Sequence, residues 1–313
     1  MSIAIPTYNR SGALIATLES LSRQDCIEKC VVTVVDNCSD YDIVEVIQRF
    51  DKHLDIKIIK NTINKGMGIN LLDAIYYCET EWVWTLSDDD EITKDAVWQA
   101  LDLIAGASEH TVHIKTQIKN FPNRSFNNIE VQSIKELCTL YTEHDNYTRG
   151  DFIFYSNNLI KREDLKKYFT TGYELSGTYV SFMIPVLLAL EHKTGSLSFS
   201  EGSLVSYKAP ISRSYNIGKV IRGMSSLSNL EIEESCKKKI LNLLCSIHWK
   251  KLYLTFLKNE QLVKYSDILY ANRNIYSLTE NKPTYFLLKV TAILIKNEGI
   301  NKLLKKMLNK LGR

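Results

Sequence analysis

Residues 82–90 read Trp82-Val83-Trp84-Thr85-Leu86-Ser87-Asp88-Asp89-Asp90, an apolar run that ends in three adjacent carboxylates. The apolar part has the composition of a buried strand. Three carboxylates at its end repel one another unless a cation neutralises them, and oxygen ligands select a hard ion such as Mg²⁺ or Mn²⁺. Because side chains alternate along a strand, we expect Asp88 and Asp90 to face one side and Asp89 to face away. The alternative interpretation is an acidic, solvated turn before a helix.

Strand-like and helix-like segments alternate on both sides of this stretch. Short apolar runs predict strands at residues 2–6, 31–35, 56–59 and 111–118. Apolar stripes at helical spacing separate them, and we expect the helix after the acidic run to be capped by Thr93. This alternation implies right-handed βαβ units. The sequence therefore predicts an α/β fold with a mostly parallel sheet flanked by helices.

Four of the predicted strands are followed by polar clusters. The clusters are Thr7-Tyr8-Asn9, Asp36-Asn37, Asn64-Lys65-Gly66 and Asp88-Asp89-Asp90. In open α/β sheets, ligands bind outside the carboxyl ends of the strands. We therefore expect the four clusters to converge on one edge of the sheet and to form a binding site there.

The order and spacing of these motifs resemble those of family 2 glycosyltransferases with the GT-A fold. The resemblance is carried by Ser2-Ile3-Ala4-Ile5-Pro6-Thr7-Tyr8-Asn9-Arg10, Val34-Val35-Asp36-Asn37-Cys38-Ser39-Asp40, Asn64-Lys65-Gly66 and Trp84-Thr85-Leu86-Ser87-Asp88-Asp89-Asp90. It covers residues 1–120 strongly and 150–195 weakly. The resemblance implies an enzyme that takes a sugar from a nucleotide-diphosphate donor and transfers it to a hydroxyl group, with inversion at the anomeric carbon.

The resemblance also implies roles for individual residues. Asp36 would read the imino edge of the nucleobase, and the alternative role of a helix N-cap is compatible with that one. Asp90, together with Asp88, would hold the Mn²⁺ or Mg²⁺ ion that bridges the two donor phosphates. The residues expected to line the nucleotide-sugar site are Pro6, Thr7, Tyr8, Arg10, Asp36, Asn64, Lys65, Gly66, Asp88 and Asp89.

The catalytic base is where the sequence departs from the family pattern. Many family members carry a Glu-Asp pair before a helix in the second half of the domain, whereas residues 172–179 contain no such pair. Glu174 is the nearest carboxylate and our first candidate, and Asp151 is the second. Either could instead be an ordinary surface acid. The departure resembles abequosyltransferase-like transferases of bacterial O-antigen and capsule synthesis more than it resembles processive synthases.

The second half of the chain has a less regular pattern. Residues 152–155 are predicted as a strand and residues 159–169 as a helix. Two apolar runs around Glu201-Gly202 predict a hairpin over residues 196–207. From about residue 219 the pattern is helical.

These patterns suggest a division into domains. We expect a GT-A catalytic domain over residues 1–210, with a nucleotide-binding half (1–118) and an acceptor half (119–210). A helical C-terminal region is expected to follow over residues 211–313.

Composition and charge restrict the classes of function. The chain is 45% hydrophobic and 24% charged, with a net charge of +3, so it has the composition of a globular protein and lacks the charge of a nucleic-acid binder. Its seven cysteines include no Cys-x-x-Cys pair, which favours reduced thiols over zinc. The N-terminus has no signal-peptide pattern and no apolar window is long enough to span a membrane. We expect a cytoplasmic protein, and the sequence gives no oligomeric state.

Residues 296–313 form a basic tail with six basic residues and one acidic residue. Its apolar residues recur at helical spacing opposite Lys302, Lys305, Lys306 and Lys310, a pattern that suits an anionic membrane surface. Peripheral attachment to the inner face of the membrane would fit a lipid-linked glycan acceptor. The alternative is a terminal helix that packs on its own domain.

Two other functions remain open from the sequence. A sugar nucleotidyltransferase also uses an α/β sheet and acidic metal ligands, but the turn at residues 6–9 lacks the glycine-rich loop of that class. A non-catalytic nucleotide-sugar-binding protein would keep the pocket and lack a base.

Overall fold

The computed structural model describes most of the first 244 residues. The described residues are 1–50, 52–121, 126–143, 149–207 and 217–244, together with 266, 269–270, 297 and 299–300. The chain divides into two compact units, Met1–Ser176 with Val180–Ile211 and Gly177–Tyr179 with Ser212–Arg313. Most of the basic tail at 296–313 lies outside the described residues.

Over the described ranges, the first unit is built on one sheet of nine strands. The strands are β1 (Ser2–Thr7), β2 (Val31–Asp36), β3 (Asp55–Lys60), β4 (Trp82–Thr85), β5 (Glu91–Ile92), β6 (Thr111–Lys119), β7 (Ile129–Val131), β8 (Asn158–Lys161) and β9 (Ser196–Ser206). The helices of this unit are α1 (Ser11–Leu21), α2 (Ile43–Ile47), α3 (Met67–Tyr76), α4 (Ala96–Ala105), α5 (Ile134–Glu143), α6 (Arg149–Ile153), α7 (Arg162–Leu165), α8 (Phe169–Glu174) and α9 (Ile184–Glu191).

The sheet is mixed and mostly parallel. Its strand order is β3-β2-β1-β4-β8-β6-β9-β5, and β7 pairs with β9. The first four strands run in parallel, β8 runs antiparallel to both β4 and β6, and β9 runs parallel to β6. The predicted α/β class, with a mostly parallel sheet flanked by helices, is confirmed.

Both faces of the parallel strands are covered, as their apolar runs predict. On one face, Ile3 and Val32 join a fully buried cluster with Leu14 and Leu18 of α1. On the other, α3 packs against β1 and β2, where alternation along the strand directs Ala4. Burial of one residue after another along β1, β2 and β4 fixes these strands in the centre of the sheet, with their carboxyl ends at one edge.

The prediction of a strand at residues 152–155 is wrong. Its first two residues end helix α6, and the strand begins later, at Asn158. The helix predicted at residues 159–169 is wrong only at its start, because residues 159–161 belong to β8 and the chain is helical from Arg162 onward. A short apolar run fits a buried strand and a buried helix equally well, and only pairing with β4 and β6 settles which segment becomes the strand.

The hairpin predicted at residues 196–207 is also wrong, because β9 is one continuous strand. Thr111 pairs with Ser196 and Lys119 pairs with Ser206, both in parallel, so the chain does not reverse between them. The registers shift in the middle of the ladder, where β9 has two more residues than β6. The Glu201-Gly202 pair that suggested a turn lies in this bulge.

Helix α4 begins at Ala96 with Asp95 at its N-cap, so Thr93 is not the cap. The Thr93 hydroxyl instead donates to the backbone carbonyl of Ser203, 2.8 Å away. A side chain that ties two strands together is not available to cap the following helix.

The second unit contains α10 (Ile217–Met224) and helical backbone over residues 234–244. Met224, Leu227, Leu230 and Leu244 are buried. Among the residues that are described, no helix combines the length and the apolar character needed to cross a bilayer.

Candidate functional site

The carboxyl ends of β1, β2 and β4 meet at one edge of the sheet. Thr7 and Asp36 are paired residues at the ends of β1 and β2, and the amide of Asn37 donates to the carbonyl of Thr7 over 2.9 Å. The hydroxyl of Thr7 donates to Asp88 over 2.7 Å. The predicted convergence of the polar clusters is confirmed for these strand ends.

The three carboxylates of the acidic run have different surroundings. Asp88 is buried and accepts hydrogen bonds from Thr7 and Arg10, the latter over 3.1 Å. Asp89 is exposed and forms an ion pair of 2.7 Å with the same Arg10 guanidinium. Asp90 is partly buried and accepts a short hydrogen bond from the Ser156 hydroxyl through Oδ2. The alternation expected of Asp88, Asp89 and Asp90 is visible in their exposure.

Burial raises the pKa of both inner carboxyls. The pKa of Asp88 is raised to about 6 by burial, against the hydrogen bond from Thr7 and the charge of Arg10. The pKa of Asp90 is also raised to about 6 by burial, against the hydrogen bond from Ser156, while the neighbouring aspartates add repulsion. A second positive charge at this position would stabilise the ionised forms.

The carboxylate oxygens of Asp88 and Asp90 are suitable ligands for a divalent cation that binds together with the substrate. Oδ1 of Asp90 accepts no hydrogen bond from any described residue, and both inner side chains offer oxygen, the ligand that Mg²⁺ and Mn²⁺ prefer. No group of three His, Cys, Asp or Glu side chains able to hold a metal occurs within the described ranges. Mg²⁺ is commonly held by one or two carboxylates and completed by substrate phosphates and water, so the residues present fit that mode.

Asp36 is a fully buried carboxylate, and one of its two oxygens accepts no described hydrogen bond. Its Oδ1 accepts from the Ser39 amide over 3.0 Å and from the Ser39 hydroxyl over 2.5 Å. Its Oδ2 is buried and has no hydrogen-bond partner among the described residues. Helix α2 is capped by Asp42, so the capping role considered for Asp36 is excluded. A buried acceptor without a donor is costly, and a ligand N–H would satisfy it.

The loop Asn64-Lys65-Gly66 is fastened to the end of β2 by Asn37. The Asn37 side chain donates to Asn64 Oδ1 and accepts from the Lys65 amide, each over 2.9 Å. Gly66 precedes α3 with a φ of 88°, a conformation that favours glycine. The Lys65 ammonium group contacts Asp73 of α3 over 2.9 Å. The loop thus lies beside Thr7 and Asp36, as the sequence predicts.

The remaining predicted residues lie at the end of β1. Pro6 is partly buried within the strand, and Tyr8 is 42% exposed in the turn that follows. An exposed aromatic ring beside a buried carboxylate offers a stacking surface next to a hydrogen-bonding group.

The two candidate bases differ in their surroundings. Asp151 is buried, and its two oxygens accept from Tyr141 and Asn157 over 2.8 and 2.7 Å. Glu174 is exposed at the end of α8. Its neighbour Tyr173 donates to Asp73 over 2.8 Å, which links α8 to the helix that follows the Asn64–Gly66 loop.

Sequence reasoning missed Ser156 and Asn70. Ser156 contacts Asp90 from the segment before β8, whereas Asn70 on α3 donates weakly to the carbonyls of Thr7 and Val35 over 3.5 and 3.4 Å. A polar residue on the buried stripe of α3 is a signal that could have revealed Asn70. Ser156 has no local signal, because its position depends on the pairing of β8 with β4.

The strand order and the acidic run at the end of β4 define the class of protein, which is an α/β protein with the GT-A fold. The chain belongs to glycosyl transferase family 2, whose sequence pattern matches residues 2–169, more than half of the chain.

Two curated relatives represent the similarity in sequence. Poly(ribitol-phosphate) beta-N-acetylglucosaminyltransferase TarS of Staphylococcus aureus is 25% identical over 166 residues, which are 52% of this chain and 29% of that protein. Abequosyltransferase RfbV of Salmonella typhimurium is 28% identical over 100 residues, 31% of this chain and 30% of that protein. The chain thus matches less than a third of the length of either relative.

Solved structures show the same fold. A TarS fragment of residues 1-349 in complex with UDP-GlcNAc has a TM-score of 0.63 at 16% identity, covering 99% of this chain and 91% of that one. The mannosyltransferase PcManGT of Pyrobaculum calidifontis, in complex with GDP-Man and Mn²⁺, has a TM-score of 0.54 at 14% identity, covering 96% and 82%.

Proposed function

We propose that this protein transfers one sugar from a nucleoside diphosphate to a hydroxyl group of a glycan, with inversion at the anomeric carbon. The observation that carries the proposal is the meeting of three features at one sheet edge. They are the carboxylates of buried Asp88 and partly buried Asp90, the Arg10 guanidinium, and the Asp36 oxygen without a described donor. Together they suit a ligand with a metal-bound diphosphate at one end and an N–H group at the other.

Asp36 is proposed to bind the nucleobase. Its Oδ2 has no described donor, and the bases of the common sugar nucleotides each present an N–H group on their Watson–Crick edge that could fill this place. Tyr8 offers a stacking surface, while Asn64, Lys65 and Gly66 form a wall that Asn37 holds in place. Pro6 and Thr7 end the strand between these groups. The donor nucleotides of the TarS and PcManGT complexes support this class of ligand.

The acidic run is proposed to bind the diphosphate through Mn²⁺ or Mg²⁺. Asp90 would coordinate the ion through its unengaged Oδ1, and Asp88 would support it beside the ribose or sugar. A bound dication stabilises the negative charge that grows on the departing diphosphate. Arg10, which is ion-paired with Asp88 and Asp89 in this structure, is proposed to contact the phosphates as well. The Mn²⁺ in the PcManGT complex supports a metal of this kind.

Glu174 is proposed as the base that accepts the proton of the acceptor hydroxyl. It is exposed, whereas Asp151 has both oxygens engaged inside the protein. The acceptor is proposed to be a lipid-linked glycan of bacterial surface polysaccharide synthesis, of the O-antigen or capsule type, which the name of the abequosyltransferase relative supports. The basic tail would then hold the enzyme at the inner face of the membrane.

A donor screen tests the proposal. The purified protein is heated with UDP-, GDP-, CDP- and dTDP-sugars in the presence of Mn²⁺, and the true donor should raise Tm because it binds only the folded state. Asp90→Ala should abolish metal-dependent release of the nucleoside diphosphate, because the metal loses its ligand. The Tm of this variant without ligands should stay within a few degrees of the wild type. Ser196→Ala, which removes a hydrogen bond from a buried serine to the exposed Glu130 carboxylate elsewhere in the sheet, serves as the control.

Several outcomes would contradict the proposal. Turnover of Asp90→Ala at the wild-type rate would remove the metal role of that residue. A donor that stabilises the protein but is never consumed with any acceptor would indicate a non-catalytic nucleotide-sugar-binding protein. Formation of pyrophosphate from a nucleoside triphosphate and a sugar phosphate would indicate a nucleotidyltransferase.

A further inference from the structure

The segment before β8 lies directly opposite the acidic run. Thr85 of β4 pairs with Asn158 of β8 in an antiparallel register. Continuing this register past the ends of the two strands places Ser87, two residues after Thr85, opposite Ser156, two residues before Asn158. The amide of Ser87 donates to the Ser156 hydroxyl over 2.8 Å, so the contact continues past the last ladder pair.

The Ser156 hydroxyl acts as both a hydrogen-bond acceptor and a hydrogen-bond donor. It accepts the hydrogen bond from the Ser87 amide, and its single hydrogen is donated to Oδ2 of Asp90. One side chain therefore joins the first and the last residue of the run Ser87–Asp90. Oδ2 is fixed by this bond, and Oδ1 is the oxygen of Asp90 that no described residue engages.

Ser156 is itself held rigidly. It is fully buried, and its carbonyl accepts from the indole N–H of Trp84 over 2.8 Å. The next residue, Asn157, is fully buried as well and bonds to Asp151 and to the ammonium group of Lys115, over 2.7 and 2.9 Å. A hydroxyl on so constrained a backbone can hold a carboxylate in one orientation, because the position of the hydroxyl is itself fixed.

We propose that Ser156 is a positioning residue for the metal ligand Asp90. It holds Oδ2 of the carboxylate so that Oδ1 would remain for the cation, and it ties the start of the acidic run to its end. This inference rests on the metal role of Asp90 in the proposed function. Partners of this kind around a metal ligand typically change metal affinity by about 10- to 100-fold when they are removed.

The experiment measures Mn²⁺ binding to the full chain by electron paramagnetic resonance, with Mn²⁺ alone as the probe. Ser156→Ala should raise the Kd for Mn²⁺ about tenfold, because Asp90 loses the bond that orients it. In turnover, its half-saturating Mn²⁺ concentration should rise by a similar factor, while the rate at saturating Mn²⁺ stays near the wild type. A purely structural role would lower that rate or Tm without changing the metal dependence.

Ser196→Ala is the matched control, since Ser196 is also a buried serine that donates to a carboxylate, that of Glu130. It should bind Mn²⁺ as the wild type does. If Ser156→Ala does not fold, Ser156→Cys keeps the shape of the side chain at a slightly larger volume and offers only a weak donor, and it should show the same weakened binding.

The outcomes separate the two proposals. Wild-type Mn²⁺ affinity in folded Ser156→Ala or Ser156→Cys, with binding lost in Asp90→Ala, overturns the role of Ser156 and leaves the metal site in place. Wild-type Mn²⁺ affinity in Asp90→Ala overturns the metal role of Asp90 itself, and the inference about Ser156 falls with it.

Discussion

At the residue scale, the roles of the acids follow from how many of their oxygens the protein already uses. Asp151 and Asp88 have both oxygens engaged, whereas Asp36 and Asp90 each keep one without a described donor. An oxygen without a partner is available to a ligand, whereas a ligand of Asp88 would have to share or replace the hydrogen bonds from Thr7 and Arg10. This distinction is invisible in the sequence, where all of these residues are simply acidic.

The contrast between the candidate bases yields a residue-scale prediction. Glu174→Gln should lower kcat at least about 100-fold, because proton acceptance by a positioned base contributes roughly 10²–10⁴. Its Tm and donor Kd should not change, since Glu174 is exposed and is not among the residues proposed to bind the donor. Asp151→Ala should instead lower the free energy of unfolding by about 1–3 kcal/mol, because Asn157 and Tyr141 lose a shared acceptor. Steady-state kinetics and thermal denaturation separate the two, and a fully active Glu174→Gln would exclude it as the base.

The site could be predicted from sequence where its residues directly follow strands. Thr7, Asp36 and Asp88 fall at the carboxyl ends of apolar runs, and parallel pairing brings those ends together whatever the exact register. Ser156 lies at the amino end of an antiparallel strand. Its place beside Asp90 therefore depends on a non-local pairing that no local pattern reveals.

At the element scale, the two halves of the first unit differ in how well the local sequence pattern predicts secondary structure. The strands β1 to β4 can be predicted because each contains a short apolar run and is followed or preceded by a helical stretch, so composition and periodicity agree. The run at residues 152–155 and the bulge at Glu201-Gly202 have patterns that fit more than one structure. There the choice is made by partners distant in sequence, β4 and β6.

Helix packing in the second unit gives an element-scale prediction. A Cβ added to Gly223 of α10 would lie 1.8 Å from the backbone carbonyl oxygen of Gly177, a contact that backbone movement alone can relieve. Gly223→Ala should therefore lower the free energy of unfolding by about 1–3 kcal/mol, despite the better helix propensity of alanine.

Gly12→Ala is the matched control for this substitution. Gly12 lies within α1, and an added Cβ there meets nothing within 4 Å. This variant should gain up to about 1 kcal/mol, because alanine stabilises a helix relative to glycine. Chemical denaturation of both variants measures the difference, and equal stabilities would show that α10 does not approach Gly177 closely.

At the scale of the whole molecule, net charge and local charge lead to different conclusions. The chain carries only +3, too little for general attraction to polyanions, yet residues 296–313 concentrate six basic residues. Attraction to an anionic surface falls off within about a Debye length, so clustered charge matters more than the total. The proposed lipid-linked acceptor would be met at such a surface.

The basic tail therefore supplies the prediction for the whole molecule. Replacing Lys302, Lys305, Lys306 and Lys310 with glutamate should weaken binding to vesicles of anionic lipid at least about 100-fold, since each basic residue near such a surface contributes about 1 kcal/mol. Donor binding in solution should not change. The control replaces four exposed lysines of the first unit, Lys29, Lys52, Lys94 and Lys135, which changes net charge equally. Vesicle sedimentation measures both. Undiminished binding of the tail variant would show that the tail is not the membrane contact. Equal loss in the control would contradict the prediction as well, because the clustering and amphipathic spacing of the tail lysines would then have no effect beyond net charge.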